Sequence, residues 1–249
     1  MAKGYHRPAA LTPARTHYCP GCGHGIAHRL VAEVIDERGC RERTIGIAPV
    51  GCAVIAYDYL DIDMTEAAHG RTPAVATAVK RCNPDKLVFS YQGDGDLAAI
   101  GAGEMLHAAN RGENFTIIFI NNAVYGMTSG QMAPTTLVNM KTATTPLGRN
   151  PATEGCPIRV CELLATLGRT VFLARGTLTT PRNVRETKKL IHRAFDVQER
   201  GLGFSMVEIL SPCPTYWRLR PDEAMKFIET DMVKAFPPGI IKDTSAEVQ

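Results

Sequence analysis

The chain has 249 residues, 45% of them hydrophobic, and a formal charge of +3. That suffices for one sizeable core, and so small a net charge argues against a nucleic-acid partner. No apolar run reaches the roughly eighteen residues of a membrane helix, and residues 1–15 lack an apolar signal core, so no membrane role and a cytoplasmic location are expected.

In chain order, residues 1–16 read as an extended, Pro- and Ala-bearing arm. Cys19-Pro20-Gly21-Cys22-Gly23 is a tight turn leading into a helix over 26–37, where Ile26, Leu30, Val31, Val34 and Ile35 recur at helical spacing. A strand is predicted over 44–50, followed at once by Cys52. The loop His69-Gly70-Arg71 precedes an alanine-rich helix over 73–80. A strand over 87–91 runs into Gly93-Asp94-Gly95-Asp96, a small-residue helix over 97–110 follows, and the strand over 115–120 ends at Asn121-Asn122. Residues 123–157 lose periodicity and read as one long loop, a length that usually marks a functional or partner-facing segment. Order returns with a strand over 171–174 and a helix over 181–199, with Thr180 as N-cap and Pro181 at its first position. A strand over 204–210 then runs into Ser211-Pro212-Cys213-Pro214. Residues 220–249 read as a helix plus a peripheral arm. Alternating strands and helices predict a doubly wound, mostly parallel α/β sheet in one domain, with 1–16 and 220–249 as arms.

Two constellations carry chemistry. Gly93-Asp94-Gly95-Asp96 lies where a strand meets a helix, the edge at which open parallel sheets bind ligands. Helix N-terminal N–H groups there suit phosphate, and a carboxylate on the same turn suits Mg²⁺. Asn121 and Asn122 emerge at the same edge one β-α-β unit later. Alone, the glycine-aspartate turn reads more readily as a plain β-α turn with a capping Asp; the paired asparagines reverse that in favour of the metal reading.

The second constellation is the cysteines, eight in all. In a reducing compartment such usage points to metal, cluster or core thiols rather than disulfides. The Cys19/Cys22 pair admits zinc, redox and cluster readings. Cys52 and Cys213 both follow strands and read equally as ligands at the sheet edge or as plain core residues, whereas Cys40, Cys82, Cys156 and Cys161 read as structural or exposed thiols.

The spacing of Gly93-Asp94-Gly95 and Asn121-Asn122 resembles the thiamine-diphosphate motif. Together with CPGCGHG (19–25), PVGCAV (49–54), EAAHGRTPAVATAVKR (66–81), NNAVYGMTSGQMAPTT (121–136) and SPCPTYW (211–217), it is similar to the β subunit of 2-oxoacid:ferredoxin oxidoreductases. The resemblance implies thiamine pyrophosphate with Mg²⁺ held by Asp94, Asn122 and the Val124 carbonyl. It also implies a 4Fe-4S cluster on Cys19, Cys22, Cys52 and Cys213. Cofactor contacts are implied for Gly23, His24, His69, Gly93, Gly95, Asp96, Tyr125, Gly126, Met127 and Thr128, with Gln131 as a further candidate. His69 and Arg71 are the catalytic candidates, Arg71 toward a phosphate or substrate carboxylate. His24 reads equally as a diphosphate contact, a cluster-edge contact or a helix cap. Tyr125 and Met127 have packing as their plain alternative. Ser129 replaces a glycine common in such sequences, a small-for-small exchange.

The implied activity is oxidative decarboxylation of a 2-oxoacid to acyl-CoA and CO₂, with electrons passed through the cluster to ferredoxin. The wording is nearer to 2-oxoglutarate and branched 2-oxoacid types than to pyruvate types. The glutamate that activates thiamine is expected on a partner α subunit carrying the pyrimidine-binding domain, with or without γ and ferredoxin-like δ chains. The alternatives are a non-redox thiamine decarboxylase subunit and a zinc-bearing structural module.

Overall fold

In the computed structural model, which describes residues 6–247, the apolar runs form one mostly parallel sheet. Its strands are β1 (Thr44–Ala48), β2 (Asp63–Glu66), β3 (Leu87–Gly93), β4 (Thr116–Asn121), β7 (Thr170–Thr177), β8 (Phe204–Leu210) and β9 (Gly239–Asp243). A separate small hairpin pairs β5 (Val124–Tyr125) with β6 (Gln131–Met132). The sheet order is β2-β1-β3-β4-β8-β7-β9, every neighbour parallel except β9 against β7.

Both faces of the sheet are covered, as a parallel sheet requires. The helices that cover it are α1 (His24–Glu37), α2 (Thr72–Cys82), α3 (Ala102–Arg111), α5 (Val160–Ala165) and α6 (Pro181–Glu199); a single turn, α4 (Pro151–Glu154), lies in the long loop. Strand residues alternate between two cores. Phe89, Tyr91, Ile118 and Ile120 pack with Leu30, Val34, Ile191 and Phe195 of α1 and α6. Val88, Ile117 and Phe119 pack with Ala76, Met105 and Leu164 of α2, α3 and α5. Helix α6 keeps its predicted bounds, with the Thr180 hydroxyl accepting from the Asn183 N–H at 3.1 Å.

Several expectations need correction. The stretch 239–243 is no peripheral arm: it is the antiparallel edge strand β9, hidden from pattern reading because its residues are exposed or half-buried. The helix expected over 97–110 is broken. Gly95–Ile100 forms a π-helical turn, closed by the Gly101 N–H on the Asp96 carbonyl at 2.9 Å, and α3 starts only at Ala102. Gly70 packs against this junction: a Cβ there would lie 2.7 Å from the Gly101 nitrogen, so two backbones meet at that point. The edge strand β2 and the six-residue α5 are too exposed or too short for a periodic signal. Of the N-terminal arm, residues 1–5 lie outside the described residues, but Ala10 is buried and its N–H donates to Asp36 at 3.0 Å. Among the described residues no helix is long and apolar enough to cross a membrane.

The chain leaves β1 toward β2 and leaves β3 toward β4, so the loops after these adjacent strands diverge. That crevice at the carboxyl ends is the topological switch point, where such sheets bind ligands.

Candidate cofactor and cluster site

A cavity of about 110 Å³ opens at the switch point. Its wall takes Pro49–Ala53 from the loop after β1, Gly93–Asp96 from the end of β3 and the turn after it, Asn122 and Val124–Thr128 from the segment after β4, and His24 and His69. Asp94 is 2% exposed. Its Oδ1 accepts from the Gly95 N–H at 2.9 Å and its Oδ2 from the Thr135 hydroxyl at 2.6 Å. Burial pushes its carboxyl up to about 7, against the pull of these donors. A buried carboxylate with only neutral donors is a group suited to a cation. Across the cavity the Asn122 Oδ1 accepts from the Val124 N–H at 3.2 Å, and the Asn122 carbonyl accepts from Trp217 Nε1 at 2.9 Å.

Asp96, two residues from Asp94, does something different. Its Oδ1 takes His69 Nδ1 at 2.6 Å and the Gly70 N–H at 2.9 Å, and its Oδ2 takes Gln92 Nε2 at 2.7 Å. Both oxygens are therefore spent tying the His69 loop to β3. The same bond makes His69 Nδ1 the donor and leaves Nε2 as the basic nitrogen of the ring. Arg71 does not line the cavity: its exposed guanidinium pairs with Glu104 of α3. Gln131 does not line it either, but bonds Thr128, which does.

Of the readings offered for His24, the structure removes the helix cap. Helix α1 has no side-chain cap, and His24 lines the cavity beside Asp94. Its Nδ1 bonds the Tyr91 hydroxyl at 2.9 Å, and its ring stacks on Tyr18 with centroids 4.7 Å apart. Burial lowers its pKa to about 3, so it stays neutral.

A second cavity, also about 110 Å³, is lined by Cys19, Cys22, Cys52 and Cys213 together, with Tyr18 and Tyr216. The two cavities share Cys52, Asn122, Gly126 and Met127 as a common wall. Gly126 makes the wall thin, since a Cβ there would lie 3.0 Å from the Cys52 sulfur and 3.8 Å from that of Cys213. Gly23 lines neither cavity. It lets the Cys19–Cys22 loop press on the Cys213 loop, a Cβ there falling 2.4 Å from the Ser211 hydroxyl. Burial, then the neighbouring thiols, pushes Cys52 and Cys213 up to about 12. Among the described residues no three His, Cys, Asp or Glu side chains converge on one single-ion position; the four thiols stand apart around their cavity. Of the other cysteines, Cys40 and Cys161 are buried and Cys82 and Cys156 exposed.

Residues 49–209 match the family described as thiamine pyrophosphate enzyme, C-terminal TPP binding domain. The 2-oxoglutarate synthase subunit KorB of Methanocaldococcus jannaschii is 35% identical over 223 residues, 87% of this chain and 78% of that protein. The chain belongs to the thiamine pyrophosphate enzymes, among the 2-oxoacid oxidoreductase subunits. The ketoisovalerate oxidoreductase subunit VorA of Methanothermobacter thermautotrophicus is 49% identical over 245 residues, 98% of this chain but 51% of that protein. The chain thus spans about half the length of the VorA relatives. A solved 2-oxoglutarate:ferredoxin oxidoreductase from Magnetococcus marinus, with 2-oxoglutarate, coenzyme A and succinyl-CoA bound, superposes with a TM-score of 0.80 at 28% identity, over 97% of this chain and 86% of that one.

For a thiamine pyrophosphate enzyme the donor sets fit. The buried carboxylate of Asp94 faces Asn122 across a cavity with hard oxygen donors, and four soft thiols line the cavity next to it. Thr135, Gln92 and Trp217 were not legible as site residues, with only the hydroxyl-rich run APTT hinting at Thr135, and Asp96, expected as a cofactor contact, instead ties His69 and Gly70 to Gln92. Ser129 is a costlier exchange than its size suggests, because it stands at φ +88°, where glycine is unstrained. Gly95 admits no side chain, as a Cβ would fall 2.3 Å from the Tyr125 ring. Gly95→Ala should push the β5–β6 hairpin off the turn and lower thiamine pyrophosphate affinity; unchanged affinity by calorimetric titration would contradict this packing.

Proposed function

We propose that this chain is the diphosphate-binding and electron-transferring part of a cytoplasmic 2-oxoacid:ferredoxin oxidoreductase. The observation that carries the reading is the shared wall: the cavity of Asp94 and Asn122 and the cavity of four cysteines meet at Cys52 and Gly126. When bound, thiamine pyrophosphate provides the carbanion chemistry that decarboxylates a 2-oxoacid, and a 4Fe-4S cluster a one-electron acceptor beside it.

This chain's residues then have distinct tasks. Asp94, Asn122 and the Val124 carbonyl hold Mg²⁺ against the diphosphate. Cys19, Cys22, Cys52 and Cys213 hold the cluster. His24 remains neutral, so its free Nε2 offers a hydrogen bond without bringing charge. His69, oriented by Asp96, presents Nε2 as a proton-accepting atom. Gly126 keeps the two groups close, which suits electron transfer, and ferredoxin takes the electrons while coenzyme A takes the acyl group.

The glutamate that activates thiamine is assigned to a partner α subunit with a pyrimidine-binding domain, with γ and δ chains as further partners. The doubled length of VorA supports a second half of similar size. On substrate, the apolar stretch Pro49, Val50 and Ala53 beside Val124 and Met127 suits a branched aliphatic 2-oxoacid, in line with the VorA likeness.

The assembled complex should hold about four irons and four acid-labile sulfides per chain. It should also reduce benzyl viologen with 2-oxoisovalerate and coenzyme A faster than with 2-oxoglutarate or pyruvate. Carbon dioxide release without viologen reduction would instead identify a non-redox decarboxylase. Zinc in place of iron would end the electron-transfer reading.

A further inference from the structure

Behind the turn that carries Asn122 runs a buried ionic chain that the site as described does not use. Asn121 Nδ2 donates to Glu208 Oε1 at 2.7 Å, and Glu208 Oε2 accepts from Arg175 Nε at 2.8 Å. Arg175 reaches on to Glu162 Oε2 at 2.7 Å and to the Pro237 carbonyl at 3.0 Å. Asn121 and Glu208 are 0% exposed and Arg175 1%. Arg175 and Glu208 are register partners on β7 and β8, and Asn121 ends the adjoining strand β4, so the chain crosses three neighbouring strands.

Stability does not account for this arrangement, since a packed apolar pair serves a core as well as a buried ion pair or better. Its inner end shows what it holds. With Asn121 Nδ2 committed to Glu208, the amide has one orientation, and its Oδ1 accepts from the Ala123 N–H at 3.2 Å. Ala123 stands at φ +59°, a left-handed conformation that an L-residue adopts only when held there. The two residues on either side of it are the candidate metal holders Asn122 and Val124.

We propose that Glu208, locked by Arg175, is a positioning residue for the metal. It fixes the Asn121 amide, the amide fixes the turn at Ala123, and the turn sets the Asn122 side-chain oxygen and the Val124 carbonyl at a common point. The inference rests on the metal-diphosphate reading above and extends it to a residue that lines neither cavity.

The test is Mn²⁺ binding in the presence of thiamine pyrophosphate, followed by equilibrium dialysis and electron paramagnetic resonance on the assembled complex. Glu208→Gln keeps the volume and an acceptor for Asn121 but loses the charge that Arg175 locks. Its apparent Kd for Mn²⁺ should rise about 10- to 100-fold, the usual cost of losing an outer partner of a metal ligand, with iron and sulfide content unchanged. A variant with a lower melting temperature and wild-type Mn²⁺ affinity would show a merely structural role and overturn the proposal. Should Glu208→Gln not fold, Glu162→Gln loosens Arg175 from its half-exposed side, and a smaller rise in Kd is expected; no rise refutes the relay. Failure of the wild-type complex to bind Mn²⁺ at all would refute the underlying metal reading, a distinct result.

Discussion

Asp94→Asn should abolish metal and thiamine pyrophosphate loading while leaving the empty protein as stable as before or more so. Losing an outer partner of a metal ligand already costs about 10- to 100-fold in affinity, so losing the ligand itself should exceed a hundredfold. The stability half of the prediction follows from burial. Desolvation raises the Asp94 carboxyl from 3.8 to about 7 although the Thr135 hydroxyl and the Gly95 N–H oppose the rise. Between those two values the metal-free fold retains a proton that the unfolded chain releases. Its stability therefore erodes as pH rises across that window, and above about pH 7 the whole cost is present. Asparagine carries no such charge. Denaturant melts of the empty proteins at pH 5 and pH 8 should show the variant gaining on the wild type at the higher pH. In the wild type, metal binding must expel the proton, so apparent affinity should fall about tenfold per pH unit below about 7. A pH-independent affinity would mean that Asp94 is not the group the metal meets.

Arg175→Met should destabilise the fold by about 3–5 kcal/mol, or roughly 6–20 °C in Tm, because it strands the fully buried Glu208 carboxylate in the sheet. The Arg175→Met/Glu208→Leu double variant removes both charges and should recover most of that loss, since apolar residues of similar volume can replace a buried pair without penalty. It leaves Asn121 Nδ2 without its carboxylate, however, so Mn²⁺ affinity should stay low. Thermal melts and dialysis on the same three proteins therefore separate what the pair does for stability from what it does for the metal. A double variant that is both stable and metal-tight would leave the pair without a role at the site.

Much of this was legible because strand ends are local features. The alternation of β-rich and helical runs gave the doubly wound sheet, and Gly93-Asp94-Gly95 and Asn121-Asn122 could be placed at its carboxyl edge from where their strands stop. Cys52 and Cys213 could be placed in the same way, each in the loop that follows a strand. Sequence neighbours could not be told apart by role. Asp94 and Asp96 share one turn, yet Asp96 is taken by His69, Gly70 and Gln92 while Asp94 keeps a cavity in front of it. Arg71 was expected at the chemistry because it follows His69, but Glu104 of α3 draws its guanidinium away.

Hydrophobic period and turn residues act within a few positions of one another, so five of the seven sheet strands, the ligand edge and the Cys19–Cys22 turn were legible in the sequence, whereas the set of four cysteines rested on family resemblance. What local pattern could not supply is the common wall at Gly126 between the Asp94 cavity and the four-cysteine cavity, the place of residues 239–243 at the sheet edge, and the chain of Arg175, Glu208 and Asn121 across three strands. Those depend on partners brought together from distant segments, and a buried charge or a missing Cβ shows its purpose only beside the atoms packed against it.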